Sequence, residues 1–499
     1  MKPKAISQPR QPLLYVRAAD GAQLESLLSP LALRSSGHHA DNEIARILEL
    51  GRNETAGSDR LPFERDRDRI IHCRQFRKLA GKTQLLIAPN RGDLRTRLTH
   101  TMEVYQVATS IARRFNLNIP AVEAIALGHD IGHTPFGHAG EEALDKKLKC
   151  IGGFHHASHS VRSLDYTAYD PHLFHEEQTF GLNLTFAVRE GILKHGWFIE
   201  RKSPYHLPPT NTRSWNLAAN GTRPFGSIEA QTVALADEVA YLNHDIEDLT
   251  LYGFEKVLSA RIVHNFFKQH NIAVNRHGHE KWLKTEQSFL NLLSKDKTER
   301  VKWLIRDAVD NSVARMEQAQ KGRFDRKKRI VDFGESLRTV RNLFYSFFRE
   351  CIYTDVRIEQ KNARAKEQVV FLYDFFEKFF QGNPDMLPAH VQRELQSNSI
   401  WWRNYLRDLR RHNFITKSDA NLPNEMVACK LAACDVVADL TDKEAIQTVE
   451  ALCEPESGSG MQAVDRILST FSNERQLDLN HQRQVFTQNA LRSLFSPTP

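Results

Sequence analysis

Apolar residues recur along most of this 499-residue chain at the three- and four-residue intervals of a helix. "HTMEVYQVATSIARRF" carries Val104, Val107, Ala108 and Ile111 on one stripe. "AVEAIALGHDIG" continues the pattern and is expected to stop at Gly132. "SIEAQTVALADEVAYLNHDIEDL" places Val233, Ala236, Ala240 and Ile246 in register behind Ser227, a good N-cap. Residues 301–380 and 424–450 also read as helices. Strand-like alternation is scarce, so the predicted class is mainly α. Three stretches break the periodicity: 201–226, rich in Pro, Gly and Asn and read as a long surface loop; 270–281; and 453–460. Residues 1–26 read as a flexible N-terminal arm. The last fifteen or so read as a tail.

Composition adds boundaries to this picture. Hydrophobic residues make up 41% and charged residues 26%, an ordinary globular balance. No apolar run approaches the ~18–20 residues that span a bilayer, and the N-terminus lacks a secretory apolar core. A cytoplasmic protein without a membrane partner is expected. Six cysteines form no CxxC pair, which predicts reduced thiols instead of disulfides or a zinc ribbon. The formal charge of +7 is modest, but residues 60–97 hold eleven Lys/Arg against four acids. Such a cluster suits phosphate, on a nucleotide or a nucleic acid; a solvated basic face is the plain alternative.

The histidines change the picture most. Eleven of the 22 fall between residues 100 and 206. "HDIGHTPFGH" packs His129, Asp130, His133 and His138 around Gly132, Pro135 and Gly137. A helix end followed by a tight loop would bring these side chains to one point, and His, Asp and Glu in such density suit a metal or an acid–base site. Further ligands must come from elsewhere. "RTRLTHTMEV" sets His100 just ahead of a helix. In the 228–250 helix, Asp237, Tyr241 and Asp245 stand at i, i+4 and i+8 on one face. A carboxylate in the apolar "TVALADEVAY" surround is costly unless paired or metal-bound; a salt bridge is the plain reading of Asp237 alone.

The order His100, His129-Asp130, Asp237 resembles the HD-domain metal-dependent phosphohydrolases. "FERDRDRIIHCRQFRKLAGKTQ", "RTRLTHTMEV", "HDIGHTPFGHAGE", "GLNLTFAVREGILKH" and "ALADEVAYLNHDIEDL" resemble one branch, the deoxyguanosine triphosphate triphosphohydrolases (dGTPase/dNTPase). "LLSPLALRSS" (27–36) and "DVVADLTDKEA" (435–445) extend the likeness over roughly 27–445. The resemblance implies an HD-domain helical core over 27–255, a further helical region over 256–450 that completes the fold and offers an oligomer interface, and a linker and tail over 451–499. It implies His100, His129, Asp130 and Asp237 as ligands of a divalent metal, Mn²⁺ or Mg²⁺. It implies His138 and Glu141 as the catalytic histidine and its partner, with His133 and His156 as further active-site histidines. Arg97 matches a phosphate-binding arginine, Gln84 and Tyr241 residues that exclude a ribose, and Asp245 an acid near the 3′-hydroxyl. The activity implied is hydrolysis of a dNTP at the α-phosphorus, giving deoxynucleoside and triphosphate. Family partners would be a dNTP effector, single-stranded nucleic acid and further copies of the chain, often as hexamers. The aromatic stretches "NLFYSFFRE" (342–350) and "FLYDFFEKFF" (371–380) exceed one helical stripe, which suits either an interface or a buried core.

The match has departures. "FHHASHS" (154–160) retains His156 and Ser160 of the family segment, but Ala157 and His159 replace amides, and Val436 and Glu444 replace tyrosines. Competing readings are an HD phosphohydrolase acting on an alarmone, a cyclic nucleotide or a nucleic-acid end, and a non-catalytic dNTP or nucleic-acid sensor. Intact His138 and Glu141 speak against the sensor. "AGKTQ" at 80–84 is no phosphate loop, because Phe76 stands where the leading glycine belongs, and no H-E-x-x-H exists for a zinc protease.

Overall fold

The computed structural model describes residues 26–35, 60–85, 94–168, 181–195, 225–254, 257–273, 279–324, 328–388, 415–453 and 459–469, with a few isolated positions between them. The segment 201–226 lies almost wholly outside these residues, as do the N-terminal arm up to residue 25 and the final tail. The described protein is helical, and its one strand-like pairing is an antiparallel bridge between Thr83 and Thr96. The mainly α expectation holds.

The helices follow local rules. α1 (Pro62–His72) and α2 (Arg74–Lys78) precede α3 (Arg97–Arg114), whose N-cap Thr96 accepts from the Thr99 amide. α4 (Ile119–Gly128) starts behind Asn118 with Pro120 in its first turn, and every residue from Ala121 to Gly128 is buried. It is the central helix, with α1, α3, α7 (Phe186–Lys194) and α8 (Ile228–Leu251) packed around it. Ser227 caps α8 as predicted, accepting from the Ala230 amide. Between α4 and α7 lie α5 (His138–Leu148) and α6 (His156–Arg162).

Two expected boundaries differ. The 119–132 helix ends at Gly128, and residues 129–132 are turns. Gly132 acts instead through close approach: a Cβ there would lie 2.0 Å from the Ser160 amide nitrogen and 2.5 Å from the His156 carbonyl oxygen, so only glycine lets the turn lie against α6. His100 is likewise inside α3, three residues past its start, and not ahead of it.

The later chain gives α9 (Ala260–Ala273), α10 (His279–Ser294), α11 (Lys297–Gln320), α12 (Glu335–Phe347), α13 (Val356–Gly382), α14 (Asn424–Asp439), α15 (Asp442–Cys453) and α16 (Ser459–Ser469). The expected 301–380 run is therefore broken at 321–334. Buried apolar residues fall into two clusters that do not follow sequence order. One joins α1–α4 and α6–α12 with Ile358 at the start of α13. The other joins α5 with α13–α16. The aromatic stretches are consumed in them: Phe344, Phe347 and Phe348 in the first, and Tyr373, Phe375, Phe376, Phe379 and Phe380 in the second, all buried. They therefore offer no argument for an oligomer interface. Their excess over one stripe reflects burial on several sides within the chain.

The α14–α15 junction braces the front of the molecule. Asp439 takes Arg74 and Lys78, each at 2.9 Å. Asp442 accepts from the Phe136 amide at 2.8 Å and the Thr83 amide at 3.1 Å. Further back, Arg162 of α6 forks onto Asp435 of α14 through two 2.7 Å bonds, and His390 adds a third at 2.9 Å. The "DVVADLTDKEA" segment thus holds the loop that carries the histidines.

Candidate active site and metal centre

The turn after α4, the start of α3 and the middle of α8 converge. His129 follows α4, and its Nδ1 donates to the Ala126 carbonyl at 2.7 Å. A carbonyl can only accept, so the neutral ring presents Nε2 as its lone-pair side. That atom is buried and lacks a hydrogen-bond partner. Around it stand Asp130 Oδ1 at 3.5 Å and Asp237 Oδ1 at 3.9 Å. His100 Nε2 lies 2.9 Å from Asp237 Oδ1 and 3.8 Å from Asp130 Oδ2. One donor atom from each of His100, His129 and Asp237 lies within 4.8 Å of the others. Donors bound at ~2.0–2.2 Å to one cation sit about 3 Å apart, so the set fits a divalent metal with little adjustment. The four ligands expected from sequence are brought together.

Electrostatics match a cation site. Burial raises the Asp130 carboxyl, but the adjacent His129 and His133 imidazoles and the Arg97 guanidinium outweigh it and hold the group well below its usual range. Asp237 sits at about 2, its burial outweighed by the hydrogen bond and charge of His100; a third of its side chain remains exposed, at the open side of the cluster. Arg97, in the first turn of α3, donates Nη1 to Asp130 at 2.7 Å, while its Nε and Nη2 are buried without a hydrogen-bond partner. An uncommitted guanidinium edge suits an anionic oxygen.

The rest of the basic cluster behaves otherwise. Arg60 pairs with Asp68, Arg67 with Glu123, and Arg95 with Glu103, Glu247 and Asp248. Lys82 is buried on the carbonyls of His133 and Ala438. Among the described residues, the cluster read as suited to phosphate is thus mostly committed within the chain: packing sets its charges against acids and carbonyls. Arg97 is the member in contact with the histidine–aspartate cluster.

A second set of groups adjoins the first. The tight loop reaches φ +61° at Phe136 and +57° at Gly137, where a Cβ would meet Arg97 Nη2 at 3.2 Å. It delivers His138 to the start of α5 with its side chain 69% exposed. His138 Nδ1 faces Glu141 Oε2 at 3.1 Å. Glu141 Oε1 takes the His156 amide at 2.9 Å and His156 Nδ1 at 2.8 Å. Burial would raise Glu141, but the His156 charge and bonds from both imidazoles hold it well below its usual range. His133 stacks on His156 at 3.9 Å between centroids, and burial with the Arg97 charge keeps it neutral. His156 Nε2 lies 3.3 Å from His195 Nε2, and His195 donates its Nδ1 to the Ile192 carbonyl. With both Nδ1 atoms committed as donors, this contact closes as a hydrogen bond when His156 is charged. Glu141 shifts His156 in that direction, upward against burial.

Of the expected substrate-side residues, Gln84 is set beside α3 by the Thr83–Thr96 bridge, and its amide oxygen is buried without a hydrogen-bond partner. Tyr241 stacks on Tyr345 at 4.8 Å and meets Phe344 edge-on. Burial and neighbouring Asp248 push Asp245 well above the carboxylate range, and one of its oxygens is buried without a hydrogen-bond partner. His195 and His244 escaped the sequence reading. His195 ends a helix like any structural histidine. His244 was more legible, since it is seven residues, two turns, past Asp237 on the same face. Three of the departures are buried, Ala157 and Val436 in the core and His159 against Phe154 and Asp435, whereas Glu444 is half-exposed and pairs with Lys78 at 3.2 Å.

An all-helical fold closing a His, His-Asp, Asp cluster defines an HD-domain protein, and the HD domain family model matches residues 97–242. The chain is 36% identical over 384 residues to a deoxyguanosinetriphosphate triphosphohydrolase-like protein of Nitrosomonas europaea, covering 75% of this chain and 91% of that one. Proteins of the same description from Azoarcus sp. (35%; 72% of this chain, 89% of that one) and Ralstonia nicotianae (34%; 77% and 94%) are similar. The chain belongs to the deoxyguanosinetriphosphate triphosphohydrolase family of HD-domain proteins.

Proposed function

We propose that the protein hydrolyses deoxynucleoside triphosphates, dGTP or several dNTPs, to the deoxynucleoside and inorganic triphosphate, with Mn²⁺ or Mg²⁺ as cofactor. The observation that carries the reading is the buried His129 Nε2, without a hydrogen-bond partner among His100, Asp130 and Asp237, beside an exposed His138 braced by Glu141. His100, His129, Asp130 and Asp237 hold the cation, which supplies Lewis-acid polarisation of a phosphoryl oxygen and acidifies water. Arg97 directs its uncommitted nitrogens at a phosphate oxygen. His138 moves a proton at the reacting phosphorus or the leaving 5′-oxygen, and Glu141 orients its ring. His133 and His156 back this pair. Gln84, Tyr241 and Asp245 face the sugar, with Tyr241 excluding a 2′-hydroxyl. We place the enzyme in the cytoplasm as a homo-oligomer, a hexamer in the form its resemblance favours, that answers to a dNTP effector or to single-stranded nucleic acid.

The test is to incubate purified protein with each dNTP and NTP, with Mn²⁺ or Mg²⁺, and measure inorganic triphosphate. His129→Ala and Asp237→Ala are expected to lose bound metal and turnover while far-ultraviolet circular dichroism stays near wild type. Stoichiometric metal in both variants would reject the ligand assignment.

A further inference from the structure

His100 and Asp237 come from two different helices, α3 and α8, and each helix contributes one more group behind them. Three residues past His100, α3 presents Glu103; seven residues past Asp237, α8 presents His244. His244 is buried, 2% exposed. Its ring meets His100 nearly edge-on, 5.3 Å between centroids, with the two Nδ1 atoms 3.4 Å apart. Its other nitrogen, Nε2, lies 2.9 Å from Glu103 Oε2. A carboxylate accepts, so Nε2 carries the proton and Nδ1 of the neutral ring is the lone-pair side. The Nδ1 atom of His100 then has an acceptor aimed at it, so Nδ1 keeps its proton and Nε2, facing Asp237 and Asp130, is the nitrogen left to take a cation. The three groups run in one direction: His100 donates to His244, and His244 donates to Glu103.

We propose that His244, held by Glu103, is a positioning residue that fixes the tautomer and ring orientation of His100 for cation binding. His129 obtains the same service from the Ala126 carbonyl three residues back. For His100 the partner of Nδ1 is a side chain instead, the Nδ1 of His244. The side-chain pair supplies what the backbone does not. Glu103 is itself clamped by Arg95 at 3.1 Å and Lys297 at 3.2 Å, so α11 joins the same network. Partners of this kind behind a metal-bound histidine typically contribute 10–100-fold to metal affinity. The inference rests on the metal reading of His100 above.

The experiment is a titration of the substrate-free protein with Mn²⁺, followed by electron paramagnetic resonance of the free ion, on wild type and on His129→Ala, His244→Leu and His244→Asn. Thermal melts of the metal-free proteins accompany it. Asparagine places an acceptor oxygen near the position of Nδ1, and leucine fills the volume without one. Expected is a 10–100-fold loss of Mn²⁺ affinity in His244→Leu, recovered to within about fivefold of wild type by His244→Asn, at similar metal-free melting temperatures. Wild-type affinity in His244→Leu, or equal losses in the two variants, overturns the positioning role and leaves the metal site standing. Absence of wild-type binding, or binding unchanged in His129→Ala, removes the metal reading and this inference with it. Should His244→Leu fold poorly, Glu103→Ala against Glu103→Gln repeats the comparison, since glutamine retains an acceptor for His244 Nε2.

Discussion

At the scale of single residues, His138 is set apart from its neighbours by exposure. His100, His129 and His133 are buried, whereas His138 extends from the first residue of α5 with only Glu141 on its Nδ1. His138→Ala is therefore expected to keep Mn²⁺ affinity and substrate binding and to lower kcat by ~10²–10⁴, the usual share of a general acid–base. An undiminished kcat removes it from the mechanism. Tyr241 has a proposed contact and an observed one. It lies one turn past Asp237, about 6 Å along the axis, where its ring can close against C2′ of a deoxyribose; it also packs on Tyr345 and Phe344. Tyr241→Ala is expected to raise the GTP-to-dGTP ratio of kcat/KM about tenfold, the modest end for one added hydroxyl. If both activities fall together at a constant ratio, Tyr241 only packs the helix.

At the scale of elements, the contact between the 129–137 turn and α6 decides whether the histidines converge. The Gly132 amide donates to Ser160 Oγ at 2.8 Å, and that hydroxyl donates to the His129 carbonyl at 2.7 Å. Gly132→Ala inserts a methyl 2.0 Å from the Ser160 nitrogen and 2.4 Å from the His159 carbonyl carbon. These are backbone atoms that cannot step aside. The substitution is expected to cost about 3 kcal/mol or more, at the upper end of overpacking, when measured by urea denaturation. It should also weaken metal binding by moving His129. A loss under about 0.5 kcal/mol would show that the turn relaxes freely.

For the whole molecule, the seam between α6 and α14 matters most, because there the two apolar clusters meet through charge. His159 is buried there, its Nδ1 3.9 Å from Asp435 Oδ1. Burial pushes it down to about 4, against ~6.5 in an unfolded chain. Between those values the unfolded state binds the extra proton, so stability falls as pH drops from ~6.5 to about 4. Burial shifts His155 and His244, both to about 4, in the same direction, and His195 to about 3. The acid limb is thus shared, and His159→Gln should remove one part of it. Denaturant unfolding at pH 7.5 and pH 5 is expected to show a wild-type loss larger than that of the variant by about 2 kcal/mol. Equal losses would place the titration elsewhere.

The sequence by itself determined the helical class, the cap at Ser227, and the identity of the metal-binding and acid–base candidates. These depend on spacing and residue type, which act within one or two turns. It also marked "DVVADLTDKEA" without revealing its work, because Asp435, Asp439 and Asp442 act on partners some 270 to 360 positions away. Only the tertiary structure decided which charges are spent. Folding set Arg67, Arg74, Lys78 and Arg95 against acids from elsewhere in the chain and buried Lys82 on two carbonyls, so a phosphate-like composition became largely structural. The aromatic stretches likewise became core. His195 and His244 acquired their places because neighbouring helices brought one ring nitrogen of each against another imidazole, a contact between residues 39 and 144 positions apart. Periodicity within a single helix carries no information about such contacts.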